Sequence, residues 1–438
     1  MTQQKTNPQG TTFRFAIIGV IVLAMIIPLL FVGGVTEDRQ QYFDETFRSI
    51  ANSWGDIQHV TGPFLIVPEV ERYQVKTEAG AISWHQSKHN RVILPSSLNL
   101  DIQIDHQFRK RAIYEVPVYV AKFIISGTFP AVPQQTGDIE NQLDAARIAI
   151  GISHTQAIKT ASDLNLDGKT STFTAGTGHS YIGSGISTKA LGLSTTDPVA
   201  FTFELEIKGT HELGFTPLGD TTTVDMQSTW PHPSFGGTYL PEKYTITSEG
   251  FTANWNLHEL SRNLPSSWRI SSEDASFGRN HGIVSLFQPI TNYSVIDRAI
   301  KYGMLFIALT FLGFLCFELT TGTKFHPVQY GVVGIGLVLF YLALLSLSEH
   351  ISFGLSYAFA TALLTSLISW YVWAMTKTFI LSLWIAGIVA SLYTTLYVLL
   401  QLEDYSLLVG TGVLFTGLFA LMYTTKNLTV AENSEALS

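Results

Sequence analysis

The feature that most constrains this chain is a series of five apolar stretches in its last third. Each is about as long as the roughly 20 residues that an α-helix needs to cross a bilayer. Almost no charge lies inside them, and only short connections separate them. The sequence therefore predicts an antiparallel bundle of five membrane spans within residues 299–423, at positions 301–320, 327–348, 353–375, 378–401 and 406–423.

Another apolar run, residues 13–34, follows a polar segment, residues 1–12, whose composition predicts disorder. A cleaved secretory signal would have a shorter apolar core and a cleavage site between small residues. This run is about 20 residues long, which favours an uncleaved anchor. We therefore expect six spans in total.

The distribution of charge predicts the orientation of these spans, because Lys and Arg favour the cytoplasmic side in short loops. The alternate connections hold either basic residues or acidic ones, Glu349 among the latter. Arg298 and Lys301 oppose this pattern, but the rule weakens beside a long translocated domain. We expect both termini, including the tail 424–438, in the cytoplasm and residues 35–298 outside, from the positions of Lys5, Arg14, Lys324, Lys377 and Lys426.

The segment 35–298 is predicted to begin with a helix. Its apolar residues recur on one helical face at Phe43, Phe47, Ile50 and Trp54. Thr36 is placed to cap the start of this helix. We interpret it as a stalk that packs on the domain that follows.

After Gly62-Pro63 the pattern changes to a period of two, which is typical of strands. Gly, Pro, Asn and Asp separate the apolar runs, so we predict an antiparallel, sandwich-like β domain. Residues 138–152 are predicted to be a helix or an irregular insertion, and residues 164–185 a loop. The predicted strands include 64–67, 91–94, 98–104, 114–120, 122–129, 201–207 and 245–254.

Composition and motifs point to no particular chemistry. Cys316 is the single cysteine, so an intramolecular disulfide is impossible, and the net charge of −8 gives no indication of nucleic-acid binding. The glycines of 176–185 lack the GK[ST] ending of a phosphate loop, and no Gly-x-Ser-x-Gly or His-Glu-x-x-His motif occurs. We predict no catalytic, cofactor-binding or metal-binding residues.

Two groups of residues remain candidates for function. Trp230, Pro231, His232 and Pro233 form either a recognition patch or a rigid structural corner, because the prolines fix the backbone and cannot donate ladder hydrogen bonds.

The second group consists of the ionisable residues near the ends of the spans: Glu318, His326, Glu349 and His350. Ionisable residues at membrane depth are costly and often functional. They form either a polar path for protons or a ligand, or interfacial groups that water and headgroups solvate.

Three stretches of the sequence resemble a known family. They are Val60–Pro68 (VTGPFLIVP), Thr229–Trp255 (TWPHPSFGGTYLPEKYTITSEGFTANW) and Asp297–His350, with DRAIKYGMLFIALTF, FHPVQY and LSEH. The sequence is similar to the CreD family of bacterial inner-membrane proteins over nearly its whole length. The resemblance implies an inner-membrane location, expression linked to a two-component regulatory system, and effects on envelope integrity and on tolerance to β-lactams or colicins. It implies no catalytic residue and no cofactor.

We therefore expect a non-enzymatic membrane protein whose outer domain binds an envelope protein, peptidoglycan or a lipid. Two alternatives remain open. A transporter or lipid-handling protein would use the spans, with Glu318, Glu349 and His350 near its path. A periplasmic hydrolase would need catalytic groups that converge from distant positions. The sequence does not indicate the oligomeric state.

Overall fold

A computed structural model describes residues 8–76, 82–179, 182–262, 264–270, 281–286, 292–323, 325–402 and 405–426. The chain divides into two compact units. The helix unit comprises Met1–Asp44 and Ile290–Ser438, and the β domain comprises Glu45–Pro289.

Seven long helices occur in the described residues: α1 (Pro8–Ala24), α2 (Ile26–Trp54), α4 (Asn292–Thr321), α5 (Pro327–Ser348), α6 (Phe353–Thr376), α7 (Phe379–Gln401) and α8 (Ser406–Thr425). A single-turn helix, α3 (Glu259–Arg262), lies in the β domain. Six candidate spans are long and apolar enough to cross a membrane, the first being Ala16–Trp54. This confirms the predicted membrane helices, and α4 and α5 are the most buried of them.

The N-terminal helices differ from the prediction. Pro8–Thr12 belong to α1, whereas the rest of the predicted disordered segment lies outside the described residues. A turn at Met25 separates α1 from α2, and Pro28 explains it because proline lacks the N–H and clashes with the carbonyl four residues earlier. Thr36 lies inside α2, and its hydroxyl donates to the Val32 carbonyl (3.0 Å). The predicted helix start at Thr36 is therefore wrong.

The final turns of α2 pack on the β domain. Ile50 forms a small cluster with the buried Val116 and Val118, and Phe47 and Trp54 pack against it. The indole Nε1 of Trp54 donates to the Tyr119 carbonyl (3.2 Å). Three of the four residues on the predicted helical face therefore pack within the β domain, whereas Phe43 contacts the ring of Tyr293 in the helix unit.

The first sheet of the β domain contains eleven strands. They are β1 (Gln58–Lys76), β2 (Ile82–Ile93), β5 (Gln135–Thr136), β6 (Ile139–Asn141), β7 (Arg147–Ile152), β11 (Thr174–Ala175), β12 (Gly185–Lys189), β14 (Glu212–Thr216), β16 (Ser234–Gly237), β19 (Ser267–Arg269) and β20 (Gly282–Ser285). Its main path runs β11-β12-β7-β1-β14-β20-β16. The β2 and β6 strands also pair with β1, β19 pairs with β2, and β5 pairs with β6.

The second sheet contains nine strands. They are β3 (Ser97–Arg111), β4 (Tyr114–Phe129), β8 (Ile158–Ala161), β9 (Leu164–Leu166), β10 (Lys169–Ser171), β13 (Val199–Thr210), β15 (Thr221–Ser228), β17 (Lys243–Thr247) and β18 (Gly250–His258). Its path runs β10-β9-β13-β4-β3-β15-β18-β17, with β8 against β13. Buried side chains from both sheets form one hydrophobic core.

The β-rich architecture is confirmed, but both sheets are mixed rather than antiparallel. The β1 and β14 strands run parallel, as do β3 and β15. Alternation in a sequence indicates which face of a strand is buried, not the direction of its neighbour, so this could not be predicted.

Three local predictions in the β domain are wrong or incomplete. Residues 138–152 contain β6 and the buried strand β7 rather than a helix. Residues 164–185 contain the short strands β9, β10 and β11. Residues 245–254 form a hairpin, because the chain turns at Ser248 and Glu249 between β17 and β18, and Gly250 (φ 143°) begins β18.

Candidate functional site

Trp230 is a buried corner residue of the β domain. Its indole Nε1 donates to the His232 carbonyl (2.8 Å), which closes the turn around Pro231. The imidazole of His106 contacts the indole edge to face (5.4 Å between centroids), and Phe108 lies beside it (6.3 Å). Within this segment the imidazole of His232 is the exposed group, and Pro231 and Pro233 are half-buried.

Glu318, near the end of α4, is buried and accepts a hydrogen bond from the Tyr330 hydroxyl of α5 (3.0 Å). The aromatic rings of Phe311, Phe314 and Phe325 surround Tyr330. Because Glu318 is buried, its carboxylate needs hydrogen-bond donors, and the tyrosine hydroxyl is one of them.

His326 begins helix α5. Its Nδ1 accepts a hydrogen bond from the Val328 N–H (3.3 Å), and the Gln329 side chain accepts one from the His326 N–H (2.8 Å). Pro327 then occupies the first helical position, where its missing N–H costs nothing. The arrangement is a capping box, and it stabilises the start of the helix.

Glu349 lies at the other end of α5 and connects three helices. It accepts a hydrogen bond from the Tyr293 hydroxyl of α4 (3.2 Å), and Arg39 of α2 approaches it to 3.7 Å. The neighbouring His350 is exposed. Glu318 and Glu349 therefore sit at opposite ends of the α4–α5 pair and do not form one site.

The open face of the second sheet carries rows of polar side chains. Strand register places residues of six neighbouring strands side by side on the face opposite the core. One row consists of Glu206, Lys122, Gln103, Gln227, Thr252 and Thr245. The next consists of Glu204, Ile124, Asp101, Asp225, Asn254 and Lys243. We call these two rows the polar face.

A cleft of about 620 Å³ lies over the first row of the polar face. At one end, Lys122 pairs with Glu204 (2.9 Å) and Lys159 pairs with Glu206 (2.9 Å). Hydrogen bonding to Glu204 raises the pKa of Lys122, and hydrogen bonding to Lys159 lowers the pKa of Glu206. Both groups are therefore charged near neutral pH.

The centre of the cleft is neutral. The side-chain amides of Gln103 and Gln227 are exposed and make no hydrogen bond to another residue in the described part of the chain. Each amide offers both donors and an acceptor. The cleft therefore presents free amides beside two charged pairs, which suits a ligand rich in hydroxyl and amide groups.

The polar face was missed at the sequence level, although its signal is present. Polar residues alternate with buried apolar ones at Asp101, Gln103, Asp105 and again at Asp225, Gln227. This pattern indicates a solvated face but not which strands lie side by side. The pairing of β3 with β15 brings the two glutamines together.

The β domain also contains a half-buried pair of histidines. His59 Nε2 lies 2.7 Å from the Thr216 hydroxyl, and its ring contacts His281 edge to face (5.3 Å). Burial, and to a lesser extent the charge of His281, lowers the pKa of His59 to about 4. His59 is therefore neutral at pH 7.

In the first sheet, the buried carboxylate of Glu69 is held by two arginines, Arg91 and Arg269, the latter at 3.0 Å. Arg269 also pairs with Glu71 (2.7 Å), so the cluster links β1, β2 and β19. Among the described residues, no group of three or more His, Cys, Asp or Glu side chains is arranged to hold a metal ion.

The sequence matches the family model described as inner membrane protein CreD over residues 10–431. It is 29% identical to the inner membrane protein CreD of Escherichia coli (strain K12) over 409 residues, which cover 93% of this chain and 91% of that protein. A solved structure of an M1 zinc metallopeptidase from Deinococcus radiodurans shares 7% identity, with a TM-score of 0.23. That match covers 44% of this chain and 42% of the peptidase, and likeness this low carries no argument.

Proposed function

This chain belongs to the CreD family of inner membrane proteins, and we propose that it supports the cell envelope without catalysing a reaction. In this proposal the β domain lies in the periplasm and binds an envelope component through the polar face. The observation that carries it is the cleft in which the free amides of Gln103 and Gln227 lie beside two charged pairs.

The chemistry of the polar face favours peptidoglycan among the possible partners. Glycan strands with peptide stems offer hydroxyls, amides, carboxylates and amines, and the cleft offers donors, acceptors and charges of both signs. A lipid would need an apolar surface, whereas the central row of this face holds amides and hydroxyls.

Cosedimentation with purified peptidoglycan sacculi tests the proposal with the full-length protein in detergent. We expect the double variant Gln103→Ala, Gln227→Ala to bind at least about fivefold more weakly, because two bidentate amide contacts are lost. Thr170→Ala, on the distant strand β10 of the same sheet, is the control and should bind normally. Sacculi that sediment no wild-type protein, or a double variant that binds normally, would contradict the proposal.

We propose the orientation with both termini in the cytoplasm on the charges that flank the spans. Arg14 precedes the first span, Lys377 follows α6 and Lys426 follows α8, whereas Glu349 and His350 flank the opposite end of α6. The loop residues Lys324, Glu403 and Asp404 lie outside the described residues. Reporter fusions after Gly34, Thr323, His350 and Lys377 test it, and a cytoplasmic signal at His350 would overturn it.

A further inference from the structure

The second sheet of the β domain ends on a strand whose outer edge is open. Among the described strands, β17 pairs with β18 alone, so the N–H and C=O groups on its other side face no strand. All five residues of β17 are exposed. A free edge of this kind is a template for pairing with another strand.

The other strands that end a sheet in the described part of the chain are shorter than β17. Strands β5 and β11 have two residues each, β10 and β19 have three, and β8 and β16 have four. Proteins prevent edge-to-edge pairing with very short edge strands, prolines, bulges and charges. Strand β17 (KYTIT) has no proline, its pairing with β18 has no bulge, and its single charge is Lys243.

The core-facing side of β17 is also uncovered. Tyr244 lies opposite the buried Ala253 of β18, and this register places its side chain on the core side of the sheet. Ile246 lies opposite the buried Phe251 and points the same way. Although the Tyr244 ring contacts Phe235 (5.2 Å between centroids), Tyr244 is 60% exposed and Ile246 is 45% exposed. A neighbouring strand would cover both side chains.

The sequence of β17 is complementary to itself in an antiparallel pair. When Thr245 lies opposite Thr245 of a second copy, all five residues of the strand are paired. Tyr244 then faces Ile246 of the partner subunit, and an aromatic residue beside a β-branched one is a stabilising cross-strand pair. Lys243 faces Thr247 of the partner subunit, so no like charges lie opposite each other.

The charge of Lys243 also has a complement in this pair. Glu249 lies in the turn after β17 and lines the same cleft as Thr245 and Thr247. Lys243 ends the second row of the polar face, on this same side of the sheet. It therefore takes the diagonal position to Glu249 of the partner subunit, at a Cα distance of about 7–8 Å, which a lysine side chain can span.

We propose that β17 is a dimer interface, in which it pairs antiparallel with β17 of a second copy around a two-fold axis at Thr245. The first row of the polar face ends at Thr245, so the polar faces of the two copies become continuous across the interface. The proposal rests on the edge strand alone and is independent of what the polar face binds.

Disulfide crosslinking of the full-length protein in native membranes tests the register of the pair. With Cys316→Ser, the cysteine introduced by Thr245→Cys is the only one in the chain. Residues opposite each other in an antiparallel pair have Cα atoms about 4.5–5.5 Å apart, which suits a disulfide. Mild oxidation should therefore give a covalent dimer. Thr223→Cys, on the interior strand β15 of the same face, is the matched control and should stay monomeric.

A mixed pair gives the same register from two other positions. Copies with Lys243→Cys and copies with Thr247→Cys, produced together in the same Cys316→Ser background, should crosslink to each other. A Thr245→Cys protein that crosslinks no more than Thr223→Cys, or that crosslinks to a protein of different mass, would overturn the proposal.

Molecular mass in detergent, measured by light scattering over a range of protein concentrations, gives a second test without a disulfide. Thr245→Lys places two positive charges opposite each other, so the dissociation constant of the dimer should rise at least about tenfold. Thr223→Lys adds the same charge to an interior strand and should leave the dimer unchanged. A wild-type protein that is monomeric at every concentration, or a Thr245→Lys variant as dimeric as the wild type, would contradict the proposed interface.

Discussion

The β domain and the helix unit each bury a carboxylate, but they stabilise it differently. Glu69 in the β domain is held by the guanidinium groups of Arg91 and Arg269, whose side chains remain about one-third exposed. Glu318 in the helix unit accepts a hydrogen bond from the neutral hydroxyl of Tyr330, whose ring packs against other aromatic rings.

This difference follows from the solvent around each region. An arginine in the β domain can reach water with one part of its guanidinium group while the other part binds a buried acid. In a bilayer a charged donor must itself be desolvated, which costs several kcal/mol, whereas the hydroxyl of Tyr330 donates a hydrogen bond without carrying a charge. The two regions should therefore respond differently when a partner is removed.

The largest effect is expected at the arginine cluster. Glu69→Ala removes the buried anion that joins Arg91 and Arg269 and leaves only Glu71 to pair with Arg269, so the free energy of unfolding of the β domain should fall by about 3 kcal/mol. Hydrogen exchange of β1, β2 and β19, followed by mass spectrometry on the full-length protein, measures it. Glu69→Gln should lose less stability, because the amide oxygen still accepts a hydrogen bond. Unchanged exchange in the alanine variant would show that the cluster does not hold these strands together.

A loss of stability of similar size is expected when the pH is lowered, because of His59. Its folded-state pKa of about 4 lies below the unfolded value of 6.5, so the unfolded state binds the proton first as the pH falls. The stability that this pKa difference contributes to the folded state is complete above pH 6.5 and is lost as the pH falls from 6.5 to 4. The loss in the free energy of unfolding amounts to about 3 kcal/mol at most. Chemical denaturation of the protein at several pH values should show this loss in the free energy of unfolding.

The variant His59→Gln should flatten that part of the pH profile, because glutamine does not titrate. His232→Gln, at an exposed position, is the matched control and should leave the profile as it is. Equal acid sensitivity of His59→Gln and the wild type would assign the loss to other groups.

The smallest effect is expected in the helix unit. Tyr330→Phe removes one hydrogen bond to the Glu318 carboxylate and keeps the ring, so it should cost about 1.5 kcal/mol. Thermal unfolding in detergent measures it. Lys301→Gln breaks an exposed pair with Asp297 on the same helix and should change stability by less than about 0.5 kcal/mol. If the two variants behaved alike, the buried bond would be worth no more than a surface pair.

Several local features followed from short-range patterns. The period-two alternation on β3, β4 and β13 identified the strands. The alternating apolar side chains of β3 and β13 are buried, as are Val116 and Val118 of β4, whereas Tyr114 and Val120 of β4 are only half-buried. The helical spacing of Phe47, Ile50 and Trp54 identified the face that packs on the β domain. Short or irregular strands such as β7 were missed, because few residues carry the alternation.

The candidate functional residues show what such short-range patterns do not predict. Trp230, Glu318 and Glu349 were recognisable as unusual from the sequence, but their contacts with His106, Tyr330 and Arg39 were not. These partners are distant in the chain, and only the packing of elements brings them together. The same is true of Gln103 and Gln227, which become neighbours through a parallel pair of strands.

By itself, the sequence determined the membrane spans and the β-rich character of the middle domain. The length of an apolar run and the alternation of apolar and polar residues are properties of neighbouring residues, so both can be read from a short segment. Only the tertiary structure decided the directions of the strands and the partners of the carboxylates of Glu69, Glu318 and Glu349. Those features depend on which distant segments become neighbours, and local propensities do not encode that choice.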